Sequence, residues 1–421
     1  MIAKDLNRFS PRSSGNTLLL ALAAWVLSTP VVGAQDRWLA IRGESVYTMT
    51  EETPLVDGVV LVRNDKIEAV GPSDQIEVPT EARVLSAPVI TPGWIDAHAT
   101  VGMSGLLNQP QDQEQIEDSA PIQPELRAID AYNARDPLVE WVRGFGVTTV
   151  HTGHGPGALI SGQTMIVKTH LRRGAPVVIR PFAAVAGALG DAPLRSGSAS
   201  PGTRAKSVAL LRESLLEAQR YIEAQEQAEP GEEPERDLRK EAMAEVLSGE
   251  TPLLITAHRA HDITAALRLQ EEFGFDLLLD GASEAYRVLD LLVESKVGVI
   301  AHPTMQRPAG ERQNAVVDLS RRLHGAGVPF AFQSGFEAYV PKTRVVLFEA
   351  AMSVPYGLDR DAALRALTIE AARLLKIDQR VGSLAPGKDA DLALFQGDPF
   401  EYTSKCVNVV IDGVVYSGEE D

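Results

Sequence analysis

Cross-linking cannot hold this chain together, because Cys406 is the one cysteine in 421 residues and an internal disulfide has no second member. Aromatic residues are scarce, at 5%, so a core must be built mainly from aliphatic side chains. Positive charge is in deficit. Forty Lys and Arg stand against 57 Asp and Glu, a net charge of −17. Without a basic patch to neutralise phosphates, this argues against nucleic acid or an anionic membrane surface as partner. A spanning apolar run is missing too. The run Leu18 to Leu27, "LLLALAAWVL", has about ten residues, against the roughly 20 that cross a bilayer.

That short run has a recognisable setting. Lys4, Arg8 and Arg12 precede it, and Ser28, Thr29, Pro30 and the small-residue site Val32-Gly33-Ala34 follow. Positive, apolar and small residues in this order predict a secretory signal over residues 1–34, with cleavage after Ala34. The mature chain then begins at Gln35, is periplasmic or secreted, and keeps no stable membrane span. The competing reading is an uncleaved anchor, for which the apolar run is too short. Hydrophobic residues make up 44% and charged residues 23%, enough for a large core in about two structural units.

Residues 35–90 read as short strands broken by turns such as Asn64-Asp65 and Gly71-Pro72, and residues 383–421 have the same texture. Between them, over 91–382, apolar strands alternate with amphipathic helices: "VITPGWIDAH", "VTTVHTGH", "GQTMIVKTH", "PFAAVAG", "PLLITAH", "FDLLLDG", "VGVIAHP" and "VPFAFQSG". Eight near-continuous apolar strands separated by helices predict an α/β fold. The expected form is a (β/α)8 TIM barrel with a small split β-sandwich domain built from both chain ends. A doubly wound open sheet is the alternative. A charged stretch at about 191–248 interrupts the alternation and reads as a helical insertion on a barrel loop, solvated or covering the mouth.

The polar residues that end these strands form the candidate set: His98, His151, His154, Lys168, His170, His258, Asp280, His302, and Gln333 with Ser334. Seven of the eight histidines lie here or one helical turn beyond, at His261; His324 is on a helix. Converging neutral imidazoles can hold a transition metal. Two histidines on one strand in His-x-His spacing would point the same way. Here Thr100 follows His98 at that spacing.

The stretch "VITPGWIDAHA" resembles the first barrel strand of the amidohydrolase superfamily, particularly its imidazolonepropionase-like branch. "LITAHRAHDITAALRLQEEFGFDLLLDGASEAYRV" is similar to the fifth and sixth strands of those enzymes, and "LTIEAARLLKIDQRVGSLAPGKDADLALFQGDPFE" to their return to the β-sandwich. The resemblance implies metal-activated water attacking an amide-type carbon, with a strand-eight Asp taking its proton. It places metal ligands at His98 and His258, with Asp280 where a strand-six His would stand. Thr100 replaces the second His, and Gly335 replaces the strand-eight Asp. His98, His258 and Asp280 would supply three ligands, the minimum for a catalytic zinc, with His302 a fourth and Asp280 and His302 the catalytic pair. Zinc is the expected metal if any. The rival is a metal-free pocket in which His98 and Asp280 are remnants. The resemblance also offers Lys168 as a bridging ligand.

Other features read more plainly. "GHGPGALISGQTMIVK" lacks the Lys-Ser/Thr ending of a phosphate loop, which argues against nucleotide binding. Lys342 and Arg344 begin a helix and are either solvated or an anchor for an anionic substrate. The expectation is a hydrolase of non-peptide carbon–nitrogen bonds in a small molecule. The competing class is a catalytically inactive relative that binds a small molecule or a partner protein. A homo-oligomer stays open.

Overall fold

Strands separated by turn residues come first among the described residues. A computed structural model describes residues 36–106, 109–195, 200–336 and 345–418. The expected signal at 1–34 lies outside the described residues, as do Lys342 and Arg344. The first strands are β1 (Trp38–Val46), β2 (Leu55–Arg63), β3 (Lys66–Pro72) and β4 (Arg83–Pro92). The β2–β3 turn places Asn64 at φ 61°, a left-handed conformation that asparagine tolerates. After Gly93 the chain runs straight on into β5 (Trp94–Ala99). Near the other end come β15 (Leu392–Phe395), β16 (Cys406–Ile411) and β17 (Val414–Ser417), after the middle strands given below. These three join β1–β4 in one seven-stranded sheet, in the order β17-β16-β15-β4-β1-β2-β3. One face buries Ile41, Val60 and Leu392, and the other Ala40, Val59 and Leu61, as period-two alternation requires.

The middle strands are β6 (Val147–Thr152), β7 (Ile160–Gln163), β8 (Met165–Arg172), β9 (Ala175–Arg180), β10 (Val185–Ala188), β11 (Leu253–Ala257), β12 (Leu277–Gly281), β13 (Gly298–Ala301) and β14 (Phe330–Ala331). They form two sheets with β5, ordered β14-β13-β12-β11-β10-β7 and β5-β6-β8-β9. From β10 to β14 every pairing is parallel. The two sheets approach where Ala97 N–H donates to the Phe332 carbonyl at 3.1 Å and Gly335 N–H to that of His98 at 3.1 Å. The fold is mixed α/β.

One expected strand departs from the parallel pattern. "GQTMIVKTH" divides at Thr164 into β7 and β8, and β8 runs antiparallel to both β6 and β9. The cause is local. Arg173 and Gly174 have φ 53° and 83°, a two-residue primed turn that folds the chain straight back into β9. The expected loop insertion is also helical. Its helices Arg204–Gln227 and Leu238–Leu247 bury Leu211, Leu215, Met243 and Val246 in the main core. Cys406 is buried, and burial pushes its thiol up to about 12.

Candidate functional site

Alternation along the parallel strands builds the site in layers. Leu254, Leu278, Ile300 and Ala331 lie in one apolar cluster with Ile95 and Ala97. Two residues further along each strand stand Thr256, Asp280, His302 and Gln333, and His258 follows Thr256 by two. All five line one cavity of about 540 Å³ together with His98. His98 reaches it because β5 slips register against β6 between Asp96 and Ala99, a bulge that re-aims a side chain.

Asp280 is the hub. Its Oδ1 accepts from His98 Nδ1 at 3.0 Å and from Gln333 Nε2 at 2.8 Å, and its Oδ2 accepts from the Thr256 hydroxyl at 2.6 Å. Burial alone would raise this carboxyl. The His98 charge, with hydrogen bonds from His98 and Thr256, instead lowers it to about 2. Burial would likewise lower His98, but the Asp280 carboxylate and its hydrogen bond raise it. With Nδ1 engaged, His98 Nε2 is left buried and without a hydrogen-bond partner. Across the cavity His258 Nδ1 lies 2.8 Å from the Ser283 hydroxyl. Burial holds His258 down at about 4, hence neutral. The His302 ring stands 5.6 Å from it, nearly perpendicular.

The remaining candidates separate from this cavity or support it. His151 is fully buried behind His98, with ring centroids 5.6 Å apart. Burial and the His98 charge lower it to about 3, so it is neutral. Its Nδ1–H then donates to the Ala97 carbonyl at 2.7 Å, and its Nε2 accepts from the Thr164 hydroxyl at 2.6 Å. His154 is buried in the Gly-rich loop and lowered to about 4 by burial. His170 bonds Asp412 at 3.1 Å and lies 3.2 Å from the Tyr416 hydroxyl.

Lys168 is not a bridging ligand. Its ammonium is buried among Asp389, Asp391 and Asp412, at 2.9, 2.9 and 2.5 Å. It joins β8 to the sheet of the chain ends. Ser334 contributes its backbone, which donates to Asp96 Oδ1 at 2.9 Å. Burial raises Asp96 to about 6. Thr256 and Asp96 are supporting residues that sequence reasoning passed over. The spacing Thr256-x-His258 was the available signal, because period two puts both on one face.

The family's metal does not fit the residues present. Three hydrogen-bond donors converge on Asp280, two on Oδ1 and one on Oδ2. The Thr100 hydroxyl accepts from Ser104 at 3.0 Å. Gly335 sits at φ 72°, and a Cβ there would lie 2.9 Å from Pro303 Cγ, so no carboxylate can be carried without strain. Among the described residues, no group of three or more His, Cys, Asp or Glu is arranged to hold a metal ion. No helix among them is long and apolar enough to cross a membrane.

Comparison with known proteins bears on the family. The model of the Amidohydrolase family matches residues 324–418. Amidohydrolase tasK of Hapsidospora irregularis is 26% identical over 371 residues, or 80% of this chain. The chain spans only 37% of that relative's length. The crystal structure of an adenosine deaminase from Xanthomonas campestris with bound zinc superposes over 90% of this chain and 92% of its own. At TM-score 0.53 and 17% identity, that likeness is one of fold. The crystal structure of an amidohydrolase from Thermotoga maritima MSB8 superposes at TM-score 0.84, with 30% identity over 90% of this chain and all of its own. Agreement in sequence and fold over that length carries the assignment: this chain belongs to the amidohydrolase family.

Proposed function

We propose that the protein hydrolyses amide or cyclic-amide carbon–nitrogen bonds, other than peptide bonds, in a small molecule bound in the His98–Asp280 cavity. One observation supports this above others. Three imidazoles and a carboxylate from four strands converge on a cavity of about 540 Å³, within the size range of small-molecule sites. His98, His258 and Asp280 form its polar floor. In this reading His302, which lines the cavity, donates a proton to the leaving nitrogen, and Asp280 fixes His98. In this reading the two middle sheets are arcs of a (β/α)8 barrel wall, and the site sits at the strand C-terminal ends. The single seven-stranded sheet of the chain ends stands where the split β-sandwich was expected.

The test is a panel of linear amides, lactams and cyclic imides, each followed by release of the amine or opening of the ring. Hydrolysis of at least one member is expected, with a 100-fold or greater loss, by order of magnitude, in His258→Ala and His302→Ala. If no member is turned over, the binding-protein reading becomes the better one. We also propose that the chain is exported and cleaved after Ala34. N-terminal sequencing of protein from its native cell should begin at Gln35; an intact Met1 would refute export with cleavage.

A further inference from the structure

We infer that this site works without the divalent metal of its family, and that His98, held by Asp280, is the group that takes the proton from the attacking water. The inference rests on the hydrolase reading above and assigns its proton-transfer chemistry.

Gln333 supplies the first argument. Its Nε2 lies 2.8 Å from Asp280 Oδ1 and 3.1 Å from the Ile300 carbonyl. A carboxylate and a backbone carbonyl only accept, so the amide must present its NH₂ to both. That puts donor hydrogens where a cation shared with Asp280 would need lone pairs. With Thr256 on Oδ2 and His98 Nδ1 also on Oδ1, Asp280 is organised as a hydrogen-bond acceptor rather than as a metal ligand. The two positions that complete the family's ligand set are closed as well. Thr100 is engaged by Ser104, and a side chain at Gly335 would be strained by its left-handed backbone and by Pro303.

What remains is a dyad. Once deprotonated, an imidazole whose Nδ1–H is fixed by a carboxylate carries its lone pair on Nε2, so the base is the neutral form of His98 and not the charged form that pairs most strongly with Asp280. In His98 that nitrogen is buried, lacks a hydrogen-bond partner and belongs to a residue lining the cavity. The step balances with water as the only co-reactant. The water oxygen bonds to the carbonyl carbon as Nε2 accepts its proton, and the carbonyl π pair moves onto the carbonyl oxygen, to return when the leaving group departs. The carbon–nitrogen bond then breaks, and a proton passes to the leaving nitrogen. The products are the acid and the amine, the ring-opened amino acid of a lactam, or the half-amide of a cyclic imide.

The experiment has two arms on full-length mature protein without a histidine tag. In the first, protein grown with added zinc, manganese and iron is measured for metal content. It is then titrated calorimetrically with zinc chloride. Less than a tenth of an equivalent, by order of magnitude, and no stoichiometric zinc site are expected. A stoichiometric metal removed by chelation together with activity would overturn the inference and leave the hydrolase reading standing. In the second arm, proton NMR should show a downfield imidazole N–H resonance. It should be absent in His98→Gln and in Asp280→Asn, while circular dichroism stays that of the parent. A resonance unchanged in both variants would overturn the dyad. Metal-free protein that shows the resonance yet hydrolyses nothing on the panel overturns the hydrolase reading and, with it, the role given to Nε2.

Discussion

Three buried histidines are neutral at their stations: His151 lowered to about 3, His154 to about 4 and His258 to about 4, each chiefly by burial. An unfolded imidazole titrates near 6.5, so the unfolded chain binds these protons first. The stability held by keeping these rings neutral is complete above about pH 6.5 and is lost as pH falls toward 4. Each histidine contributes up to roughly 1.4 kcal/mol per pH unit inside that window. The expected outcome is a melting temperature that drops steeply between pH 6.5 and 4. The slope should be shallower in His154→Gln. A flat profile across that range would mean these rings reach water or take up protons in place. Asp280 acts lower on the scale. Its carboxyl is depressed to about 2, so its contribution holds above the ordinary carboxylate range and fades only below about pH 4.

At the level of elements, β8 shows what pattern reading can and cannot deliver. Its apolar run was legible as a strand. Its antiparallel pairing was not, because the reversal into β9 is made by the two residues Arg173 and Gly174, not by the run itself. The antiparallel course of β8 bears on Lys168 as well. In a parallel strand it would be a candidate for the mouth of a barrel; in the hairpin it meets Asp389, Asp391 and Asp412. By contrast, the meeting of His258, Asp280 and His302, which His98 joins through the register slip in β5, follows from strand ends and a period of two. The role of Gln333 does not, since an amide at a strand end carries no sign of which carboxylate it will face. The Lys168 cluster yields a prediction. Lys168→Met removes the cation from buried carboxylates and should cost roughly 3–5 kcal/mol. That loss would be read as a lowered urea midpoint at unchanged slope. A change under about 1 kcal/mol would mean that water or other cations already satisfy the aspartates.

Across the whole molecule, the sheet of the chain ends depends on residues far apart in sequence. β15 lies between β4 and β16, pairing Leu392 with Pro92 and Phe395 with Val89. The strand texture of both ends was readable, and so was the idea that they associate. Their order in one sheet was not, because edge pairing leaves no mark in composition. A chain ending at residue 390 loses β15–β17 and with them Asp391 and Asp412. It should be insoluble or should melt without a cooperative transition. A truncated protein with an unchanged melting temperature would show that β1–β4 and the middle strands stand without the last three.

That same pairing has a consequence in time. A ribosome adds about 5–20 residues per second. β4 and its partner β15 are roughly 300 residues apart in the register that joins them, which corresponds to about 15–60 s of synthesis. Throughout that interval the edge of β4 that will meet β15 has no partner, while its other edge pairs with β1. An unpaired strand edge is a template for any other nascent chain. The vulnerable moment in this protein's life therefore falls during translation, when β4 waits for a strand that has not yet been made.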